Sequence, residues 1–253
     1  MAPAQRFTGK VGLLTGAGSG IGRATAVRLA EEGAQLFLFD ISAEGVAETV
    51  ALTQDAGAEV RTRVGDVSQR DECFATVAEC VDAFGRLDVL GNIAGIAKAE
   101  HVTDVTEEQY RRMFGVNLDG PFFMAQAAIP HLLESAGNIV NIASNAGLMG
   151  QAYTVVYCMT KGGIVQMTRS LAMEYVKTPL RVNAIAPAGT ATALSKNFEI
   201  PTEVDFELMA RYTGFRGMGE PEEIAALFAF VASDEAIGVH GAILSSDRGV
   251  TAG

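Results

Sequence analysis

The chain has 253 residues, 49% of them hydrophobic, with 19 Lys and Arg against 30 Asp and Glu for a net charge of −11. That acidity argues against nucleic acid or an anionic membrane surface as partner, since both need basic patches on the protein, and the composition is that of a globular chain rather than a disordered one. Glycine is the outlier, with 28 residues where about 7% is usual, so some feature of the fold needs tight turns or close backbone approach.

The elements expected in chain order alternate between short apolar runs and longer amphipathic ones. A strand over 10–15 is followed by a helix over 20–32, a strand over 34–40 and a helix over 42–56 opened by Ser42 as N-cap. A strand over 59–65 and a helix over 68–84 come next, then a strand over 87–92. A long helical stretch over 106–134 precedes a strand over 138–143, and another over 154–176 precedes a strand over 181–186. A helix over 221–232 and a strand over 242–246 complete the series. Runs such as Val11-Gly12-Leu13-Leu14 and Leu36-Phe37-Leu38-Phe39 are continuous rather than alternating, which means burial on both faces, as in a parallel sheet between helices. The fold class expected is therefore α/β: a doubly wound parallel sheet of about seven strands flanked by helices on both faces. The alternation absorbs nearly the whole chain, so a single domain over 1–253 is expected, broken only by a helical insertion over 188–219. No apolar run approaches the ~20 residues of a membrane span, and the one after Arg6 and Lys10 is too short for a signal-peptide core. Cys73, Cys80 and Cys158 form no C-x-x-C pair, so neither a disulfide framework nor a zinc site is indicated. A cytoplasmic protein is expected.

After the first strand, Thr15-Gly16-Ala17-Gly18-Ser19-Gly20-Ile21-Gly22 runs into a helix. Such a loop aims free backbone N–H groups and the positive helix end at a phosphate, and a Cβ at its glycines would hold a pyrophosphate off. Asp40 ends the second strand eighteen residues beyond Gly22, where an acidic residue hydrogen-bonds an adenosine ribose. A carboxylate there repels a 2′-phosphate, and Ser19 brings no positive charge to offset it, so NAD(H) is expected over NADP(H). The plainer reading, that Asp40 caps the following helix, is less well supported because Ser42 is better placed to do so.

Tyr157 and Lys161 lie four apart in a helical stretch and so share a face. A tyrosine near its ordinary pKa of about 10 is a poor base at neutral pH. A neighbouring ammonium stabilises the phenolate, which makes the pair a general acid/base for an alcohol or carbonyl oxygen. Ser144, thirteen residues before Tyr157, ends a buried strand at the edge where ligands bind in open α/β sheets.

Together these motifs resemble the short-chain dehydrogenase/reductase family over essentially the whole chain. The motifs that carry the resemblance are Thr15-Gly16-x-x-x-Gly20-Ile21-Gly22, Asp66-Val67, Asn92-Ile93-Ala94-Gly95, Asn117, Ser144, Tyr157-x-x-x-Lys161, Arg181-Val182-Asn183, and Pro187 with Thr192. The resemblance implies a Rossmann fold and an oxidoreductase. In it Tyr157 exchanges the proton, Ser144 holds the substrate oxygen, Lys161 binds the nicotinamide ribose and tunes Tyr157, and Asn117 holds a proton-relaying water. It implies that Gly16, Ser19, Gly20, Ile21 and Gly22 meet the pyrophosphate and that Asp66 and Val67 contact adenine. Asn92, Ala94 and Gly95 would steady the sheet beside the cofactor, and Pro187, Thr190 and Thr192 would seat the nicotinamide. A homotetramer, or a homodimer, built through the stretches 106–134 and 154–176 is also implied, with a C-terminal sheet edge completing the larger assembly.

Several positions depart from that pattern. Ile93 replaces a common Asn, Ala188 and Thr190 replace residues of the loop after Pro187, and Arg248 interrupts an Asp-Gly-Gly near the C-terminus, where it is expected to be surface decoration. The histidines lack metal-ligand spacing, so no metal is expected; His131 is read as structural, and for His101, in the loop after the fourth strand, a substrate contact is the less favoured reading. Cys158 is expected to pack away from the catalytic face, and Cys73 and Cys80 to form a buried stripe. Leu194, Phe198, Ile200, Phe206 and Met209 in the insertion, with Leu148, Met149 and Tyr153, suggest an apolar pocket under a lid. The expected reaction is NAD(H)-linked interconversion of a hydrophobic or medium-sized secondary alcohol and its ketone, with hydroxysteroid-like, cyclic-diol and 3-hydroxyacyl substrates open. The alternatives are a 3-oxoacyl-thioester (acyl-carrier-protein) reductase and, from another class, a non-catalytic NAD(H)-binding sensor.

Overall fold

In a computed structural model, which describes residues 5–252, seven parallel strands form one sheet in the order β3-β2-β1-β4-β5-β6-β7. Residues 1–4 and 253 of the expected domain lie outside the described residues. The strands are β1 Val11–Thr15, β2 Gln35–Asp40, β3 Val60–Val64, β4 Val89–Asn92, β5 Asn138–Ile142, β6 Arg181–Pro187 and β7 Ile243–Ser246. Helices α1 (Gly20–Glu31), α2 (Ala43–Asp55), α3 (Arg70–Phe84), α4 (Glu107–Phe114), α5 (Gly120–Ser135) and α6 (Val155–Glu174) alternate with them. Two short helices, α7 (Ala193–Lys196) and α8 (Phe206–Ala210), lie in the insertion, and α9 (Pro221–Ala232) precedes β7.

Consecutive residues of one strand enter opposite cores, which is why the runs are apolar without alternation. Leu14, Leu36, Leu38 and Val140 pack with Ala26, Leu29 and Phe228 of α1 and α9. Leu13, Phe37, Phe39 and Ile139 pack on the other side with Val77, Met124 and Leu132 of α3 and α5. Arg181, which resembles part of a motif, turns out to be structural: its buried guanidinium donates to the carbonyls of Val231, Ser233 and Ala236 and closes the end of α9.

Most expected boundaries fall within two residues of those observed, and local chemistry explains the shifts. α3 starts late because the Asp66 carboxylate accepts from Ser68 N, forming a turn before it. The expected helix over 106–134 is interrupted by a π-helical turn at Gly115–Asp119. Single π turns of this kind re-aim side chains within an otherwise regular helix, and this one carries Asn117. The insertion is helical as expected, but only in two short pieces. A parallel bridge between Thr190 and Gly219 closes its neck.

The chain crosses from β3 back to β4, beside β1. The exits of β1 and β4 therefore diverge and leave a crevice at their carboxyl ends, where such sheets bind ligands. Thr15 Oγ1 ties the floor of that crevice together by accepting from Ile93 N at 3.0 Å and Ala94 N at 3.1 Å.

Candidate active site

The glycine loop leaves β1 with Gly16 at φ +64 and Gly20 at φ +49, conformations that disfavour any side chain. A Cβ on Gly16 would sit 2.7 Å from the Ala94 backbone, and one on Gly22 would sit 1.9 Å from the Gly16 carbonyl oxygen. Ser19 caps α1 without a side-chain hydrogen bond, so the first N–H groups of the helix remain free for an anion. Asp40 locks the same loop: its Oδ2 accepts from Gly18 N at 2.9 Å and its Oδ1 from Ser42 N at 2.8 Å. Ser42 itself caps α2, accepting from Gly45 N, so the capping role is Ser42's rather than Asp40's. Arg23, the nearby cation, is spent on Glu48 and the Gly18 carbonyl, both at 2.6 Å.

These residues line a cavity of about 260 Å³, with Gly16, Ser19, Gly20, Ile21, Gly22, Asp40, Asp66, Val67, Ala94, Gly95 and Thr192 all on its wall. Ile41, Ile96, Arg112 and Val116 also line it, and no motif points to them. Arg112 donates to Asp66 Oδ2 at 2.7 Å and to Ser68 Oγ. Burial works upward on the Asp66 carboxyl, but the hydrogen bonds from Ser68 and Arg112 outweigh it and hold its pKa below the usual range. Asn92 does not reach the cavity. Its amide donates to Asn141 Oδ1 and the Pro121 carbonyl within the sheet–helix core, so its contribution is to the scaffold.

A second cavity of about 330 Å³ shares Ile21, Ile93, Gly95, Thr192 and Leu194 with the first and holds Ser144, Tyr157, Lys161, Pro187 and Thr190 on its wall. Ser144 follows β5 and opens a 3-10 turn, its Oγ accepting from Ala146 N at 3.1 Å. Gly147 in that turn lies against α6, where a Cβ would come within 2.6 Å of the Lys161 carbonyl oxygen; this close approach brings Ser144 to Tyr157. The Lys161 Nζ lies 5.8 Å from the Tyr157 ring centroid and donates to the Ile142 carbonyl at 2.8 Å. Burial pulls Lys161 down to about 8. Burial pushes Tyr157 up, against the Ser144 hydroxyl, which pulls it down.

Asn117 supports this group without facing either cavity. Its Oδ1 accepts from Ile96 N and its Nδ2 donates to Ile96 O, both at 2.8 Å, with a further bond to Thr160 Oγ1. The side chain thus positions the 93–96 loop beside Lys161 and has no amide hydrogen to spare for the water expected there.

The departures have physical accounts. Thr190 is buried, donates to Ala188 O and holds the neck of the insertion. Arg248 is no mere decoration: it adopts φ +55 and ties the far end of the insertion to α9 through Arg216 O and Glu223. His101 does not line the second cavity; its Nε2 donates to Thr202 O at 2.9 Å, while Tyr153 OH accepts from Asp205 N at 2.8 Å. Leu194 and Phe198 line the cavity as expected. Ile200, Phe206, Met209, Leu148, Met149 and Tyr153 do not, and Ala97, Tyr212 and Met218 line it instead. Cys73 and Cys80 form the buried stripe, and burial pushes both thiols up to about 12.

A family model described as Enoyl-(Acyl carrier protein) reductase, within the short-chain dehydrogenase/reductase family, matches residues 16–251. The chain belongs to the short-chain dehydrogenase/reductases. It is 37% identical over 247 residues to the meso-2,3-butanediol dehydrogenase of Serratia marcescens, covering 98% of this chain and 96% of that one. The crystal structure of levodione reductase superposes with a TM-score of 0.91 at 37% identity, covering 98% of this chain and 99% of that one. A short chain dehydrogenase from Mycobacterium paratuberculosis bound to NAD gives 0.93 at 31% identity, covering 98% and 100%. This dehydrogenase/reductase is accordingly an oxidoreductase acting on CH–OH groups. Among its described residues no helix is long and apolar enough to cross a membrane.

Proposed function

We propose that the chain interconverts a hydrophobic or medium-sized secondary alcohol and its ketone with NAD(H), in a single domain whose 188–219 insertion covers the substrate. The observation that carries this reading is the convergence of Ser144, Tyr157 and Lys161 on one cavity where it joins a second, glycine-walled one. The residues present suit a dinucleotide. Gly16 and Gly22 let the loop fold tightly against Ala94 and onto itself, where a Cβ would clash, the α1 N–H groups suit the pyrophosphate, and Asp40 suits the adenosine ribose. Pro187, Thr190 and Thr192 stand at the nicotinamide end. When bound, the nicotinamide accepts or supplies the hydride. Ser144 holds the substrate oxygen, Tyr157 takes or gives its proton, and the Lys161 ammonium favours the phenolate.

NAD(H) over NADP(H) follows from Asp40, which would face a 2′-phosphate without a free cation, since Arg23 is paired with Glu48. Mixing the protein with NAD⁺ and a panel of secondary alcohols is expected to raise NADH absorbance, with NADP⁺ at least about tenfold slower. Equal or faster turnover with NADP⁺ would remove the cofactor assignment, and silence across the panel with tight NAD⁺ binding would favour the sensor reading.

A homotetramer is supported by exposed apolar side chains on the two long helical stretches, Phe122 on α5 and Val155 and Met159 on α6, and by Phe230 and Ile237 near the sheet edge that carries β7. Sedimentation is expected to give a tetramer that Phe122→Glu breaks down; a monomeric wild type would refute it. The free thiols of Cys73 and Cys80 suit the cytoplasm, which cell fractionation tests.

A further inference from the structure

Ser144, Tyr157 and Lys161 account for one substrate oxygen, yet the cavity offers a second polar point beside them. Asn145, next to Ser144, is 4% exposed and lines the cavity, as does Gln151. Asn145 Oδ1 accepts from Ser144 Oγ at 3.1 Å and from Gln151 Nε2 at 3.0 Å. That leaves the Asn145 Nδ2 hydrogens and Gln151 Oε1 without a partner among the described residues. The fully enclosed side-chain atoms without partners are, among the described residues, those of Thr25, Arg63, Asn92 and Asn138. Asn145 is not one of them, so its free amide hydrogens open onto the cavity. Exchanging nitrogen and oxygen in both amides preserves the count: the pair still presents one donor and one acceptor.

A buried amide left unpaired is costly, whereas a ligand hydroxyl can accept from one amide and donate to the other. We propose that Asn145 and Gln151 form a subsite for a second oxygen on the substrate, so that the substrate class is a diol or hydroxyketone rather than a simple secondary alcohol. The proposal rests on the alcohol–ketone reading above. Asn145 is hydrogen-bonded directly to Ser144, so its free amide lies within one amide width of the reacting oxygen's site. The second oxygen therefore sits on the carbon adjacent to the reacting carbon, or one further on. It takes no part in the redox step: each oxidation transfers a hydride to NAD⁺ and releases the hydroxyl proton through Tyr157, giving NADH, a proton and a ketone whose second oxygen is unchanged.

The test compares two pairs matched in carbon skeleton, cyclohexanol with cyclohexane-1,2-diol and 3-hexanol with 3,4-hexanediol, in the wild type and in Gln151→Met and Asn145→Leu. Gln151 is only partly buried, so its variant stays informative if the Asn145 variant does not fold. In at least one pair the wild type is expected to favour the diol by about tenfold or more in kcat/KM, and Gln151→Met to lower that ratio at least fivefold, chiefly through KM. Turnover of both members at a ratio near one, or a ratio that Gln151→Met leaves unchanged, would overturn the proposal. No turnover of any of the four alcohols, with NADH binding intact, would instead overturn the alcohol–ketone reading and this subsite with it.

Discussion

Tyr157→Phe is expected to lower kcat/KM by about a thousandfold or more while shifting the dissociation constant of NADH less than about threefold. The phenol oxygen is the proton carrier of the proposed reaction, and removing it leaves no hydroxyl in the same place. Ser144 cannot substitute, because an aliphatic hydroxyl gives up its proton far less readily than a phenol does. The ring itself, packed beside Lys161, is retained in Phe, so the cavity keeps its shape. Stopped-flow turnover combined with a fluorescence titration of NADH separates the two effects. Residual activity within tenfold of wild type would take the proton transfer away from Tyr157.

Lys161→Met should produce an unusual pairing: a slower enzyme that is more stable. Burial lowers Lys161 from 10.5 to about 8 in the folded protein. Between those values the unfolded chain binds more protons than the native one, so this group makes stability rise with pH from about 8 toward 10.5. Below about 8 it is charged in a site that disfavours charge, a cost on the order of 3 kcal/mol. Met removes the cost and the slope together, and urea midpoints compared at pH 7 and pH 10 read both. Activity moves the other way. The ammonium that favours the Tyr157 phenolate is lost as pH rises through about 8, so alcohol oxidation in the wild type should fall above that value. In Lys161→Met the alkaline fall disappears, and kcat/KM at pH 7 drops about a hundredfold or more. A wild-type stability of the same pH slope as the variant would show that Lys161 is not desolvated as the structure has it.

The parts of the site that were legible in the sequence are those set by local spacing. Gly16, Gly20 and Gly22 after an apolar run, Asp40 at the end of the next run, and Tyr157 and Lys161 one helical turn apart each imply their geometry within a single element. Ser42 as a cap and the continuous apolar strands belong to the same class. Arg112 carried no such signal, because its meaning depends on Asp66, which lies far from it in sequence and reaches it only through the packing of α4 beside the β3 exit. The same is true of His101 with Thr202 and of Arg248 with Arg216, long-range contacts that hold the insertion. The apolar residues expected in the pocket were right in kind and partly wrong in identity, since an insertion with only two short helices has no period from which to read its inner face.

Periodicity, capping and glycine placement thus determined by themselves the α/β alternation, the glycine loop, the acidic residue opposite it and the Tyr–Lys pair. Only the tertiary structure decided that β4 returns beside β1 and opens the crevice, and that Gly147 lets the Ser144 turn press onto α6. It also decided that Asn117 spends its side chain on Ile96, and that Asn145 and Gln151 meet on the wall of the second cavity. The physical reason is range. Hydrophobic period and backbone propensity act over a few residues, whereas a cavity is a meeting of side chains whose directions are settled by what the whole sheet and its helices leave unfilled.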